Sequence, residues 1–194
     1  MSPAVVGLVG SPRKGRNTDT LVSEALQGAE SAGAATAKIY LNDLDIRPCQ
    51  ACEASPAPDY CFYHDGMDAV YRALETADAL VIGTPAYYLS VSAQLKLVLD
   101  RSNCLAEMVT REDGRRAFRS RLVKRKKALF IWVSDLSRNP EHALAEIKLW
   151  CHGANVELAE TLAIPDADRG GGARSRPEIL RRAFEAGVAL AGDL

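Results

Sequence analysis

The sequence predicts an α/β fold: a doubly wound, five-stranded parallel sheet of order 2-1-3-4-5 with helices on both faces. Three observations predict it. Short apolar runs alternate with helix-like runs along the chain. The first such run, residues 4–9, passes directly into a loop with Gly10 and Gly15 and then into a helix pattern. A second strong apolar run, residues 79–84, passes into a Pro/Tyr/Ser loop and another helix pattern. At 194 residues the chain is one domain by default, and a chain of this size buries roughly 70% of its unfolded surface, enough for a core without staples.

The elements follow in order. After the first strand, Leu21, Val22, Ala25, Leu26 and Ala29 share one helical face. Residues 37–41 alternate as a short second strand. An irregular insert with Pro and Cys covers about residues 42–66, and Met67, Val70, Tyr71 and Leu74 then mark a helix. The third strand is residues 79–83. Ser92 is suited to cap the next helix, which carries Leu95, Val98 and Leu99 inward. A basic connection over about residues 104–127 leads to a fourth strand at 128–133. Asn139-Pro140 reads as a cap plus first-turn proline for a helix with Leu144, Ile147 and Trp150 or Cys151 inward. The fifth strand lies within 156–164, a glycine-rich loop spans 168–173, and Ser175-Arg176-Pro177-Glu178 has the pattern of a capping box opening the last helix.

The loop Gly10-Ser11-Pro12-Arg13-Lys14-Gly15-Arg16-Asn17-Thr18 aims unpaired backbone N–H groups and a positive helix end at an anion. Ser11, Asn17 and Thr18 add neutral donors, and Arg13 adds a planar fork suited to phosphate. Gly10 and Gly15 have the spacing of an NTPase loop, but Arg16 and Asn17 stand where Lys and Ser/Thr are required, and no acidic residue ends the strand at 79–84 to hold magnesium. The dinucleotide fingerprint G-x-G-x-x-G is absent too. An ordinary strand-to-helix turn needs none of Arg13, Asn17 and Thr18 together.

In the predicted topology the ligand crevice lies between the ends of the first and third strands. The loop after the third strand offers Pro85, Tyr87 and Tyr88 as flat surfaces for an aromatic ring, with backbone N–H groups for its polar edge. A bland reading has the tyrosines filling the core, but Pro85 before them and Ser90 after them favour a loop. A ligand with a phosphate at one end and a large heteroaromatic ring at the other matches both loops, and FMN has that shape.

Residues 10–18 and 84–101 resemble the two signature segments of the flavodoxin-like NAD(P)H-dependent FMN reductase family, near its iron–sulfur flavoprotein branch. The resemblance covers most of the chain in order. It implies that Ser11, Arg13, Asn17 and Thr18, with Lys14 beside them, hold the FMN phosphate. It implies that Pro85, Ala86, Tyr87, Tyr88, Ser90 and Val91 line the isoalloxazine ring. It implies an oxidoreductase with NAD(P)H as co-substrate, no catalytic side chain beyond the flavin, a quinone, flavin or other small molecule as electron acceptor, and a homodimer or homotetramer. Two other functions fit the same fold: an iron–sulfur flavoprotein-type electron carrier, and a flavin-free regulatory or assembly protein.

The resemblance departs from the family pattern in two places. Many relatives carry a Gly-Gly run after the fourth strand, where this chain has Ser134-Asp135-Leu136-Ser137. The backbone then approaches the ring less closely, and Asp135 brings negative charge toward it. The branch also places four cysteines in the insert to hold a cluster. Here Cys49, Cys52 and Cys61 supply three, and Ser55 stands where another is expected. A cubane cluster wants four thiolates. Three readings stay open: an inert remnant, which Ser55 favours, a three-thiolate cluster or zinc site with His64 as an outside ligand, and a reversible Cys49–Cys52 disulfide. Asp65 fits helix capping, His64 faces the flavin or the insert or, as the favoured reading, is a surface histidine, and His142 and His152 carry no chemistry.

Composition excludes other classes. Net charge is −1, so no global field recruits nucleic acid. Residues 111–127 hold nine Lys or Arg, but with Phe118 alone among aromatics they make no stacking surface for single strands. They read as a solvated connection, with attraction of an anionic substrate such as NADPH as the alternative. No apolar run approaches the ~20 residues that span a bilayer. The first strand begins too early to leave room for a signal peptide, so the expected location is the cytoplasm.

Overall fold

The computed structural model describes residues 2–52 and 56–194. Its main sheet is built from β1 (Ala4–Val9), β2 (Ala35–Tyr40), β3 (Ala79–Pro85), β6 (Lys126–Val133) and β7 (Val156–Ile164), all parallel and in the spatial order β2-β1-β3-β6-β7. That is the expected order 2-1-3-4-5, counted along the main sheet.

Alternation along each strand divides the core. Val5 and Val9 of β1, Val81 of β3 and Leu129, Ile131 and Val133 of β6 face one side, where α1 (Asn17–Ser31) and α5 (Pro177–Gly192) pack. Val6 and Leu8, Leu80 and Ile82, and Phe130 and Trp132 face the other, against α2 (Met67–Thr76), α3 (Ala93–Arg101) and α4 (Glu141–Gly153). The apolar helical faces read from the sequence are the buried ones: Leu21, Val22, Ala25, Leu26 and Ala29 on α1, and Met67, Val70, Tyr71 and Leu74 on α2.

Three expectations need correction. The basic connection contains an antiparallel hairpin, β4 (Ala106–Thr110) paired with β5 (Arg116–Ser120), closed by a turn in which Gly114 has φ +77°. The capping box at 175–178 does not form. Ser175 belongs to a short 3₁₀ turn and its hydroxyl turns back to the Gly171 carbonyl, so α5 begins at Pro177 without a side-chain cap. At α4, Pro140 takes the cap position, while Asn139 Oδ1 still accepts from Glu141 N at 3.0 Å. Ser92 caps α3 as expected, accepting from Leu95 N.

Candidate functional site

The carboxyl ends of β1 and β3 lie side by side, as parallel pairing of Val9 with Gly83 requires. The two loops leaving them are tied together. Gly10 N donates to Gly83 O at 2.7 Å, Ser92 Oγ donates to Gly10 O at 2.6 Å, and Ser92 N donates to Thr84 Oγ1 at 2.9 Å. A Cβ on Gly10 would meet Ser92 Oγ at 3.0 Å and Gly83 O at 3.1 Å, so the close approach needs glycine there.

Between these loops lies a cavity of about 660 Å³, within the range of small-molecule sites. One end is the phosphate loop: Ser11, Arg13, Arg16, Asn17 and Thr18. Ser11 and Thr18 are buried, and Ser11 Oγ accepts from Arg13 N at 3.2 Å. The first N–H groups of α1 have no intrahelical partner. The other end is apolar and aromatic: Pro85, Ala86, Tyr87, Tyr88, Leu89, Val133 and Leu136. The structure thus brings together eight of the eleven expected cofactor residues. Lys14 instead pairs with Asp43 and lies 4.7 Å from the Tyr40 ring centroid. Ser90 donates to Glu146 Oε2 at 2.7 Å, and Val91 is buried in the core.

The tyrosine loop is a tight turn. Tyr87 N donates to Ser90 O and Ser90 N to Tyr87 O, with Tyr88 and Leu89 between them at φ +51° and +64°. Such primed turns normally use Asn or Gly at these positions, and bulky residues held there store about 1–3 kcal/mol each. The strain leaves Tyr88 wholly exposed at the cavity mouth, beside the exposed Leu136.

Asp19 and Ala167 escaped the sequence reading, whereas Ser134 and Asp135 stand where it placed them, beside the cavity. Asp19 is buried under the phosphate loop, where its Oδ2 accepts from Gly15 N at 2.6 Å and its Oδ1 from Lys38 Nζ at 2.8 Å. Burial opposes its ionisation, but the Lys38 ammonium, the Gly15 N–H and the Tyr40 hydroxyl outweigh that and hold its carboxyl below the ordinary value. A polar residue on the buried face of α1 was the available signal. Ser134, whose Oγ accepts from Leu136 N and Ser137 N, and Ala167 complete the wall. Asp135 also lines the cavity, and its Oδ1 accepts from Asp168 N at 2.7 Å.

The insert packs on α3 through Arg101. This buried guanidinium donates to Asp65 Oδ2 at 2.6 Å, to Arg47 O at 2.8 Å and to Cys61 Sγ at 3.5 Å. Asp65 Oδ1 also accepts from Met67 N, so it caps α2 while it pairs. Cys49, Cys52, Cys61 and Cys104 line one cavity of about 330 Å³. Cys104 contacts Tyr71 Oη and donates to Arg101 O, each at 3.2 Å. Among the described residues no three Cys, His, Asp or Glu are grouped to hold a metal ion, and Ser55 lies outside those residues. His64 is exposed, 3.5 Å from Asp68. No helix among the described residues is long and apolar enough to cross a membrane.

An iron–sulfur flavoprotein of Methanosarcina thermophila is 36% identical over 98 residues, 50% of this chain and 51% of its own length. An iron–sulfur flavoprotein of Methanocaldococcus jannaschii is 39% identical over 101 residues, 52% of each chain. The match spans about half the length of these curated relatives. The NAD(P)H:quinone oxidoreductase of Methanothermobacter marburgensis superposes with a TM-score of 0.73 at 18% identity, covering 98% of this chain and 100% of that one, a likeness of fold. Residues 3–165 match the sequence profile of the NADPH-dependent FMN reductases. That stretch takes in the phosphate loop, the tyrosine turn and the wall at Ser134, so with its flavodoxin-like sheet order the chain belongs to the NADPH-dependent FMN reductase family.

Proposed function

We propose that this chain is an FMN-dependent oxidoreductase that draws electrons from NAD(P)H and delivers them to a small-molecule acceptor of the quinone or flavin class. One observation carries the reading: a single cavity has hydroxyls, guanidiniums and a helix N-terminus at one end and prolyl and tyrosyl surfaces at the other. FMN presents a dianionic phosphate and a tricyclic ring in that order. The family match and the superposition on an NAD(P)H:quinone oxidoreductase support the same class.

The residues present fit the cofactor. Ser11, Arg13, Thr18 and the first N–H groups of α1 hold the phosphate. Pro85, Ala86 and Tyr87 flank the ring, while Tyr88, Leu89 and Leu136 form an apolar rim that keeps water from its exposed face. When bound, FMN supplies the two-electron redox chemistry. The chain supplies orientation and electrostatics. Asp135 sets negative charge at the wall beside Ser134, which disfavours excess negative charge on the ring. The acceptor enters by the open mouth beside Tyr88. A homodimer or homotetramer in the cytoplasm is part of this reading.

The test is an anaerobic visible spectrum of the protein reconstituted with FMN. The expected result is a flavin band near stoichiometric occupancy that bleaches on addition of NADPH and returns with a quinone. A protein that stays colourless after incubation with FMN contradicts the reading. Retention of full colour under excess NADPH and NADH contradicts its reductase part and favours the electron-carrier alternative.

A further inference from the structure

A second cavity, of about 550 Å³, adjoins the first and shares Arg13, Arg16 and Asn17 with it. Lys14, Thr20, Asp168 and Arg174 complete its polar lining. Four cations therefore face one carboxylate. Lys14 is engaged by Asp43, and Asp168 Oδ1 accepts from Asn17 Nδ2 at 2.7 Å. Among the described residues, Arg13, Arg16 and Arg174 have no carboxylate within ion-pair distance, whereas Arg119, Arg125 and Arg138 each pair with one.

Arg174 reaches this place from a distant part of the sequence. It sits in the short 3₁₀ turn Ala173–Ser175 after β7. Its Nε donates to Thr20 Oγ1 at 3.3 Å, and its Nη2 lies over Gly15, where an added Cβ would meet it at 3.3 Å. A guanidinium so oriented leaves its remaining donors for a ligand. With Arg13 on the flavin phosphate, the Arg16 and Arg174 guanidiniums, neither held by a carboxylate, flank the space beside it and together suit a tetrahedral dianion better than a single carboxylate.

We infer that this cavity binds the phosphomonoester of an adenine nucleotide, namely the 2′-phosphate that distinguishes NADPH from NADH, with Arg174 as the specificity-determining residue. The inference rests on the proposed function, which brings a nicotinamide dinucleotide to the adjoining cavity. The same chemistry has a second source, the phosphate of FMN itself, since Arg13 and Arg16 border both spaces.

The experiment is calorimetric titration of the protein as purified with adenosine 2′,5′-bisphosphate and with AMP, alongside FMN. It reads the anion site without turnover, so it is separable from failure of the reductase reading. The wild type is expected to prefer the bisphosphate over AMP by about tenfold or more, the size of one charge-assisted contact. In Arg174→Ala that preference collapses to within about twofold, Arg174→Lys restores part of it, and FMN affinity is unchanged. In turnover the ratio of kcat/KM for NADPH over NADH falls correspondingly, through KM and not kcat. Equal binding of bisphosphate and AMP by the wild type overturns the inference, as does an undiminished preference in Arg174→Ala. A parallel loss of FMN affinity in that variant also overturns it, by assigning the cavity to the flavin phosphate.

Discussion

The side-chain amide of Asn17 is clasped by Ala173, whose backbone N–H donates to Asn17 Oδ1 at 2.8 Å. Its Nδ2 donates to Ala167 O at 3.0 Å and to Asp168 Oδ1 at 2.7 Å. A residue suited by type and position to touch a phosphate thus has its amide spent on the loop after β7. Gly172, at φ +85°, lets that loop close, because a Cβ there would meet Asn17 Oδ1 at 2.6 Å.

Asn17→Ala removes three hydrogen bonds at once. At about 1 kcal/mol net each it costs about 2–3 kcal/mol, a fall in Tm of roughly 4–12 °C for a chain of this size. FMN affinity falls with it, because the loop that supplies Ala167 to the cavity wall comes loose. Differential scanning fluorimetry with and without FMN checks both effects.

Leu89 occupies a left-handed position in the tyrosine turn. Leu89→Gly relieves backbone strain, raising stability by about 1 kcal/mol. It also strips an apolar wall from the cavity mouth, so KM for a quinone acceptor rises while the protein melts later. The paired readout is Tm against steady-state kinetics.

Arg101 and Asp65 form a buried ion pair that pins the cysteine insert to α3. Arg101→Ala leaves an uncompensated carboxylate and costs about 3–5 kcal/mol. In the wild type, burial opposes ionisation of Asp65, but Arg101 and the N–H groups of Met67 and Arg47 hold its carboxyl below the ordinary value. Its stabilisation, like that of Asp19, is therefore present above the unfolded-state pKa and lost as the pH falls through the depressed one. Without Arg101 the carboxyl keeps the Met67 and Arg47 N–H groups but loses its counter-charge, so this acid-sensitive stabilisation is largely missing from the variant. The stability gap between variant and wild type thus narrows as the pH falls below about 4, measurable by urea denaturation between about pH 5 and pH 2.

Lys126 is buried at the start of β6, where its Nζ donates to Lys124 O at 2.7 Å. Burial, with the nearby Lys124 charge, pushes its ammonium down to about 8. Below that pH the folded protein bears a charge it solvates poorly, and stability rises as the pH climbs from about 8 toward the unfolded value of about 10.4. Lys126→Met raises Tm at pH 7, and its advantage shrinks by pH 10. Thermal melts at the two pH values check the sign.

The main sheet was legible because its inner strands β1, β3 and β6 are near-uniform apolar runs and its helices carry clean apolar faces. The two loops were legible because Gly, Ser, Arg, Pro and Tyr fall at strand ends. The hairpin of β4 and β5 was not, since its charge masked its pattern: Met108 and Phe118 are a cross-strand pair flanking a Glu112-Asp113-Gly114 turn, but both are exposed and the segment has no buried face to impose alternation. The contacts of Asn17 with Ala167 and Ala173, and of Arg101 with Arg47 and Asp65, join residues far apart in sequence, so no local pattern announces them. Cys104 reaches the cavity of Cys49 and Cys61 in the same way, by the end of α3 packing beneath the insert. At 175–178 the capping-box letters were outcompeted by the preceding glycines, which draw Ser175 into a tighter turn.

The most direct measurement compares FMN with riboflavin, which keeps the ring and lacks the phosphate, in equilibrium titrations of the wild type and of Arg13→Ala. With the phosphate at the start of α1 and the ring at the tyrosine turn, FMN binds the wild type at least about a hundredfold more tightly than riboflavin, and Arg13→Ala narrows that margin by about tenfold or more while leaving riboflavin binding unchanged. Equal affinity of the wild type for both flavins, or a margin untouched in Arg13→Ala, would contradict it.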